Sequence, residues 1–290
     1  MIPLFLLAAI LPLELTHVKI TPPRPNWELG MISSSASDGK GTIYLLQRGL
    51  SAEPVVAINE KGKVLREWGK GLYQIPHSIR VDPQGNIWTV DAASSRILKF
   101  TPQGKILLDF TVGEQPKTKS QFNRTADIAF APDGHLFIAD GYGNARILEY
   151  DANGNRLRQW GTPGQGPGQL NLPHGIAIDK DQTIYVADRE NGRIQRFTRE
   201  GKYLSEIPGN GNKTFSLHLQ NGALWIGCQP RNEPNGAPGW IMKLDPATGA
   251  ILGQIDSPGH HSIDVSKKGE ILTGVRPDQL LWFRLKKGSQ

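Results

Sequence analysis

Three of the seven histidines in this 290-residue chain stand in one local setting. His77 in IPHSIRVD, His174 in LPHGIAID and His261 in GHHSIDVS each lie one or two residues before an apolar run of strand spacing. Imidazole is a common ligand of divalent metals, and three of them around a tetrahedral ion leave one position open, the arrangement of a catalytic zinc. The intervals of 97 and 87 residues match no local metal motif, so the signal must come from an architecture that repeats the setting. At any one position there is a plain alternative, a turn into a strand whose histidine hydrogen-bonds backbone. His260 adjoins His261 and competes with it for the third place. Other polar side chains follow the second apolar run of each unit: Arg48 in LLQRG, Tyr142 in ADGYGNARI and Arg189 in ADRENGRI. If those turns share a face with the histidines, the phenol and the two guanidinium groups ring the metal. Otherwise Tyr142 is rim packing, and each arginine is a surface fork to a neighbouring aspartate.

The positioning element is visible in Asn171 to Phe197, where IAIDKDQTIYVAD and GRIQRF carry apolar residues at strand spacing, separated by turn chemistry. The same pattern fills Pro76 to Phe100 and Ala126 to Tyr150, and the Asp that ends its second strand recurs as Asp91, Asp140 and Asp188, 49 and 48 residues apart. A period of that length filled by four short strands and no helix is a propeller blade. Six blades fit the chain, beginning near Ile32, Pro76, Ala126, Pro173, Phe215 and His260. The fifth carries an inserted loop, QPRNEPNGAP. The sixth supplies only three strands, and Leu15 to Ile20 is expected to add the missing outer one and close the ring. The fold class is thus all-β, a six-bladed β-propeller closed by an N-terminal strand. In such a ring the histidines fall on blades 2, 4 and 6, a third of a turn apart, and converge on the axis. Ala126 takes the matching slot in blade 3. Trp68, Trp88, Trp160, Trp225, Trp240 and Trp282 fall mostly at strand positions and read as packing between blades. Asp140, Asp188, Asn144 and Asn191 read as turn formers.

Composition narrows the function classes. A net charge of +6 and a pI near 9.4 invite acidic partners, yet the Lys and Arg are scattered with no dense basic run, which argues against nucleic acid. The Gly-rich TPGQGPGQLNLP has no Lys-Ser/Thr pair and no helix after it, so it is a connection between blades and not a phosphate cradle. Cys228, the single cysteine, excludes an intrachain disulfide and reads as a small buried apolar residue. Ile2 to Leu13 is too short to span a bilayer but has the length of a signal-peptide core, from which a secreted or periplasmic location is expected, with cytoplasmic as the alternative. The expected division is an apolar N-terminal segment over 1–14, the propeller over 15–285 and a tail over 286–290, with the protein acting as a monomer.

The strings LPHGIAID, ADGYGNARI, VADRENGRIQRF and WGTPGQGPGQLNLPH resemble NHL repeats and, more narrowly, the peptidyl-α-hydroxyglycine α-amidating lyase family. The resemblance runs from about Trp27 to Phe283 and is strongest over blades 2 to 4. It implies a lyase that releases glyoxylate from a peptide ending in α-hydroxyglycine and leaves a C-terminal amide. It implies zinc on His77, His174 and His261, Tyr142 as base, and Arg48 and Arg189 engaging the substrate carboxylate and the reacting group. It also implies a structural calcium in the channel, with the Ile79 carbonyl as one ligand. The chain departs from the family at Gly259-His260-His261-Ser262, where Met-Pro-His-Asp is usual, so a hydroxyl replaces a calcium-binding carboxylate. Gly143 and Arg196 stand where the family has cysteines. The rival readings are a non-catalytic NHL propeller that binds a peptide or protein, and a metal-dependent lactonase or hydrolase. The latter class recruits carboxylates to its metal, and Asp127 in blade 3 is the carboxylate on offer.

Overall fold

The computed structural model describes residues 9–113, 124–275 and 279–286. Six antiparallel four-stranded sheets form the ring. Blade 1 runs from Ile32–Ser37 to Val64–Trp68, blade 2 from Pro76–Val81 to Ile106–Thr111, and blade 3 from Asp127–Phe130 to Arg156–Trp160. Blade 4 runs from Pro173–Ile178 to Tyr203–Pro208 and blade 5 from Asn212–Gln220 to Ile251–Ser257. Blade 6 has Asp264–Val265, Ile271–Val275 and Gln279–Leu285, and its outer strand is Leu13–Val18 from the other end of the chain. That strand pairs antiparallel with Gln279–Leu285, Leu13 facing Leu285 and Val18 facing Leu280. It starts two residues earlier than the sequence pattern suggests because Leu11 and Leu13 are buried against Ile263, Leu281 and Phe283. Of the apolar start read from the sequence, residues 1–8 lie outside the described residues, as do 287–290 of the tail. Among the described residues no helix is long and apolar enough to cross a membrane.

Burial explains the strand order. Second strands such as Ile87–Asp91, Leu136–Asp140 and Ile184–Asp188 are buried along their whole length because a neighbouring blade covers each face. The outer strand Arg156–Trp160 is almost entirely exposed and correspondingly polar. One apolar cluster lies between each adjacent pair of blades. Phe137 and Ile147 of blade 3, for example, meet Ile184, Val186 and Phe197 of blade 4. Ile32, Ile43 and Leu45 of blade 1 meet Leu272, Leu280 and Trp282 of blade 6, which closes the ring. Each such Phe, Ile or Leu contributes about 1.5–3 kcal/mol by burial. The tryptophans pack as expected: Trp68 stacks edge-on to Tyr44 and Phe100, and Trp160 to Phe137.

The aspartates at the ends of the second strands do more than form turns. Asp140 pairs with Arg146 at 2.8 Å and Asp188 with Arg193 at 2.8 Å, all four side chains being nearly buried. Asp188 also accepts from Asn171 N, Asn191 and Gln195. These hubs fix the turns that carry Tyr142 and Arg189.

Candidate metal centre

Each inner strand of blades 1, 2, 4 and 5 slips register near its start. The shifts fall between Ile32 and Ser34, Pro76 and Ser78, Pro173 and Ile176, and Thr214 and Ser216. A bulge leaves residues unpaired and re-aims their side chains, and the residues so released are Ser33, His77, His174 with Gly175, and Phe215. His77, His174 and His261 converge: one nitrogen from each lies within 4.8 Å of the others, and the ring centroids are 4.5 to 5.1 Å apart. His77 and His174 are buried and His261 partly so. His260 is buried but outside the cluster, against Phe215 and Gly227, which assigns the third place to His261.

One device orients all three rings. His77 Nδ1 lies 2.6 Å from the Ala126 carbonyl, His174 Nδ1 2.6 Å from the Phe215 carbonyl, and His261 Nδ1 2.8 Å from the Ser33 carbonyl. A carbonyl only accepts, so each Nδ1 carries the proton and donates, which leaves each Nε2 with its lone pair for a ligand. Each acceptor sits in the blade that follows the histidine, at the position equivalent to it. Both readings weighed at a single histidine therefore hold together: the ring bonds to backbone through one nitrogen and offers the other to the axis. Ser33 and Phe215 were not singled out in the sequence, although the register that selected the histidines also selects them.

Protonation suits metal binding. Burial holds His77 well below the usual imidazole range, reinforced by His261, His174 and Arg48. His174 is likewise depressed by burial and then by Arg189 and His261. Both are neutral at physiological pH, as metal ligands must be.

The turns after the second strands return to the same face. Arg48 N donates to Met31 O, Tyr142 N to Arg124 O and Arg189 N to Leu172 O, the acceptors lying two residues before Ser33, Ala126 and His174 respectively. Gly141 brings Tyr142 in close, since a Cβ there would lie 2.0 Å from the Pro173 carbonyl oxygen. The Tyr142 hydroxyl is 3.0 Å from His77 Nε2 and 2.8 Å from His174 Nε2. The Arg189 guanidinium lies 5.6 Å from the Tyr142 ring centre and 5.0 Å from that of Phe215, and is held by Glu190 at 2.9 Å. Arg48 donates through Nε to Ser33 Oγ and the Pro76 carbonyl. The structure thus brings together all six site residues read from the sequence. Neither arginine is a surface fork to an aspartate, because Arg189 is buried against Glu190 and Arg48 is engaged by blades 1 and 2. Burial raises the Tyr142 phenol above its usual range, and Arg189 and Arg48 pull it down without prevailing.

The donor set fits a tetrahedral, nitrogen-preferring divalent ion. The channel does not fit the calcium implied by the resemblance, which needs six to eight oxygens. The Ile79 carbonyl accepts from Ser34 Oγ at 3.5 Å, and Ser262 supplies a hydroxyl in place of a carboxylate. Of the buried carboxylates around Arg80, Asp127 is engaged by Ser78 and Arg80 at 2.5 to 3.0 Å, and Asp264 by Ser37 N at 2.8 Å and His218 at 3.4 Å. Asp127 is therefore not part of the three-histidine group found among the described residues.

The chain matches the NHL repeat model over residues 170–197. It is 28% identical over 302 residues to the mouse peptidyl-glycine alpha-amidating monooxygenase, covering 87% of this chain and 30% of that protein. It is 34% identical over 171 residues to the Drosophila melanogaster peptidyl-alpha-hydroxyglycine alpha-amidating lyase 1, covering 54% of this chain and 32% of the lyase. The chain is an NHL-repeat propeller related to the amidating lyases. It spans about a third of the length of these two relatives. The solved structure of an inactive virginiamycin B lyase variant from Staphylococcus aureus with quinupristin superposes with a TM-score of 0.65 at 18% identity, over 94% of this chain and all of that one, and shares the fold. The three histidines form a cluster able to hold a metal ion.

Proposed function

We propose that the chain is a zinc-dependent carbon–nitrogen lyase that converts a peptidyl-α-hydroxyglycine to a peptide amide and glyoxylate. The observation that carries this reading is the Tyr142 hydroxyl within hydrogen-bond distance of two of the three converging Nε2 atoms. Names among the relatives support it, since an amidating lyase is one of them. A zinc ion on the three imidazoles supplies Lewis-acid stabilisation of negative charge developing on the substrate hydroxyl.

The chain's own groups then account for the proton and the carboxylate. Tyr142 as phenolate takes the hydroxyl proton; the O–H electron pair becomes the carbonyl of glyoxylate, the C–N bond breaks, and the phenol returns the proton to the amide nitrogen. Atoms balance with no water or other co-reactant. Burial opposes the phenolate and the two arginines favour it, so the base form requires additional positive charge beside the hydroxyl. Arg189 and Arg48 receive the substrate carboxylate, for which a planar fork is better suited than an ammonium.

The test is glyoxylate release from α-hydroxyhippuric acid by zinc-loaded protein. Release should stop on chelation and return with zinc, and His174→Ala should lose the ion and the activity together. A zinc-loaded protein that releases no glyoxylate would retire the lyase reading and leave a metal-centred propeller of another specificity.

A further inference from the structure

Below the histidines the channel holds a buried charge that the proposed chemistry does not use. Arg80, three residues after His77, has a side chain only 11% exposed and pairs with Asp127 of blade 3 through Nε at 3.0 Å and Nη2 at 2.5 Å. Nη1 approaches the Ile263 carbonyl at 3.4 Å and Nη2 the Leu217 carbonyl at 3.5 Å. Asp127 also accepts from Ser78 Oγ at 2.5 Å and Ile176 N at 3.4 Å. The partners fall in a pattern. Ser78 directly follows His77, while Ile176 and Ile263 come two residues after His174 and His261. Leu217 comes two residues after Phe215, and Asp127 directly follows Ala126, the residues whose carbonyls orient His174 and His77. One ion pair therefore reaches the inner segments of blades 2 to 6, the three ligand-bearing ones included.

We propose that the Arg80 guanidinium is the built-in cation of this channel, replacing a structural calcium, and that through Asp127 it positions the three metal-ligating histidines. A guanidinium presents donors in several directions and cannot be deprotonated, so it can link one carboxylate and two carbonyls as an oxygen-seeking ion would. The chain then requires one metal ion, at the histidines, and none below them. Arg80 is a positioning residue: it touches neither the proposed metal nor the substrate.

The native zinc-loaded protein is dialysed against millimolar calcium chloride, analysed for metal and melted with and without calcium. It should hold no stoichiometric calcium and keep its melting temperature. Arg80→Met leaves Asp127 uncompensated and should lower the melting temperature by roughly 5 °C or more. It should also weaken zinc binding about 10-fold or more in competition with a chromogenic chelator, as loss of an outer-shell support does. In this variant alone, calcium should recover part of the lost stability. Arg80→Lys, which keeps the charge, should bind zinc more tightly than Arg80→Met, and it serves if the latter does not fold. One bound calcium per native chain, or a native melting temperature that rises with calcium, would overturn the replacement. Unchanged zinc affinity in Arg80→Met with a lowered melting temperature would overturn the positioning role. None of these readings uses substrate, so they stand apart from the lyase assay.

Discussion

Gly141→Ala is the sharpest probe of how the turn after a second strand serves the site. The new Cβ would lie 2.0 Å from the Pro173 carbonyl oxygen, 2.8 Å from its carbon and 2.9 Å from the Pro173 nitrogen. All three are backbone atoms of the strand that carries His174, so no side chain can swing aside. Restoring ordinary van der Waals contact requires the turn and the strand to separate by about 1 Å or more. Tyr142 is the next residue, and its hydroxyl stands 2.8 Å from His174 Nε2, so the displacement enters that distance directly. A misplacement of about 1 Å costs on the order of 10²-fold in rate, about 2.7 kcal/mol of barrier, with about 1–3 kcal/mol of stability lost to overpacking. Zinc stoichiometry should hold, because the imidazoles are fixed by Ala126, Phe215 and Ser33 and not by the turn. The assay is kcat for glyoxylate release beside a guanidinium unfolding curve and zinc analysis. A variant with a lowered unfolding midpoint and undiminished kcat would show that the placement of Tyr142 does not depend on this contact.

Two further perturbations follow from the same geometry. Tyr142→Phe removes the proposed base but no ligand, so zinc content should stay at one per chain while kcat falls about 10²-fold or more; native kcat with zinc retained would remove Tyr142 from the chemistry. His260, buried beside Gly227, is lowered to about 4 by burial, whereas the unfolded chain protonates it near the ordinary imidazole value of about 6.5. The unfolded state therefore binds the extra proton between those values, and stability falls as pH drops from 6.5 towards 4, by up to about 3 kcal/mol. Denaturant unfolding at several pH values should show this slope, and His260→Gln should lessen it, leaving the part that the likewise depressed His77 and His174 contribute; an unchanged slope would place the acid sensitivity elsewhere.

The fold and the site were legible to different depths, for physical reasons. The repeat of Asp91, Asp140 and Asp188 revealed the blades because strands covered on both faces must be apolar along their length, a constraint strong enough to show in one sequence. The three histidines were legible through the same register, since equivalent positions on alternate blades meet at the axis. The carbonyls of Ser33, Ala126 and Phe215 were not, because any residue supplies a carbonyl and the side chain carries no trace of that role. Arg80 was hidden for another reason: in PHSIRVD it occupies a strand position where an arginine ordinarily faces water, and only the closed ring shows that this face looks down the channel. The direction of the Tyr142 shift also required the structure, since two nearby arginines suggest a lowered value and only the extent of burial reverses it.

The closure of blade 6 by Leu13–Val18 has a consequence for biosynthesis. On the ribosome the outer strand of the last blade is made before the other blade strands and its partner Gln279–Leu285 after them, so the ring stays open until the last blade has been made. The third imidazole lies beside that seam: His261 belongs to the last blade and takes its orientation from Ser33 in the first. A nascent chain can present His77 and His174 but not an oriented third ligand. Capture of an ion by all three imidazoles would thereby be deferred to the moment of closure, and loading would become a report that the whole ring has been assembled.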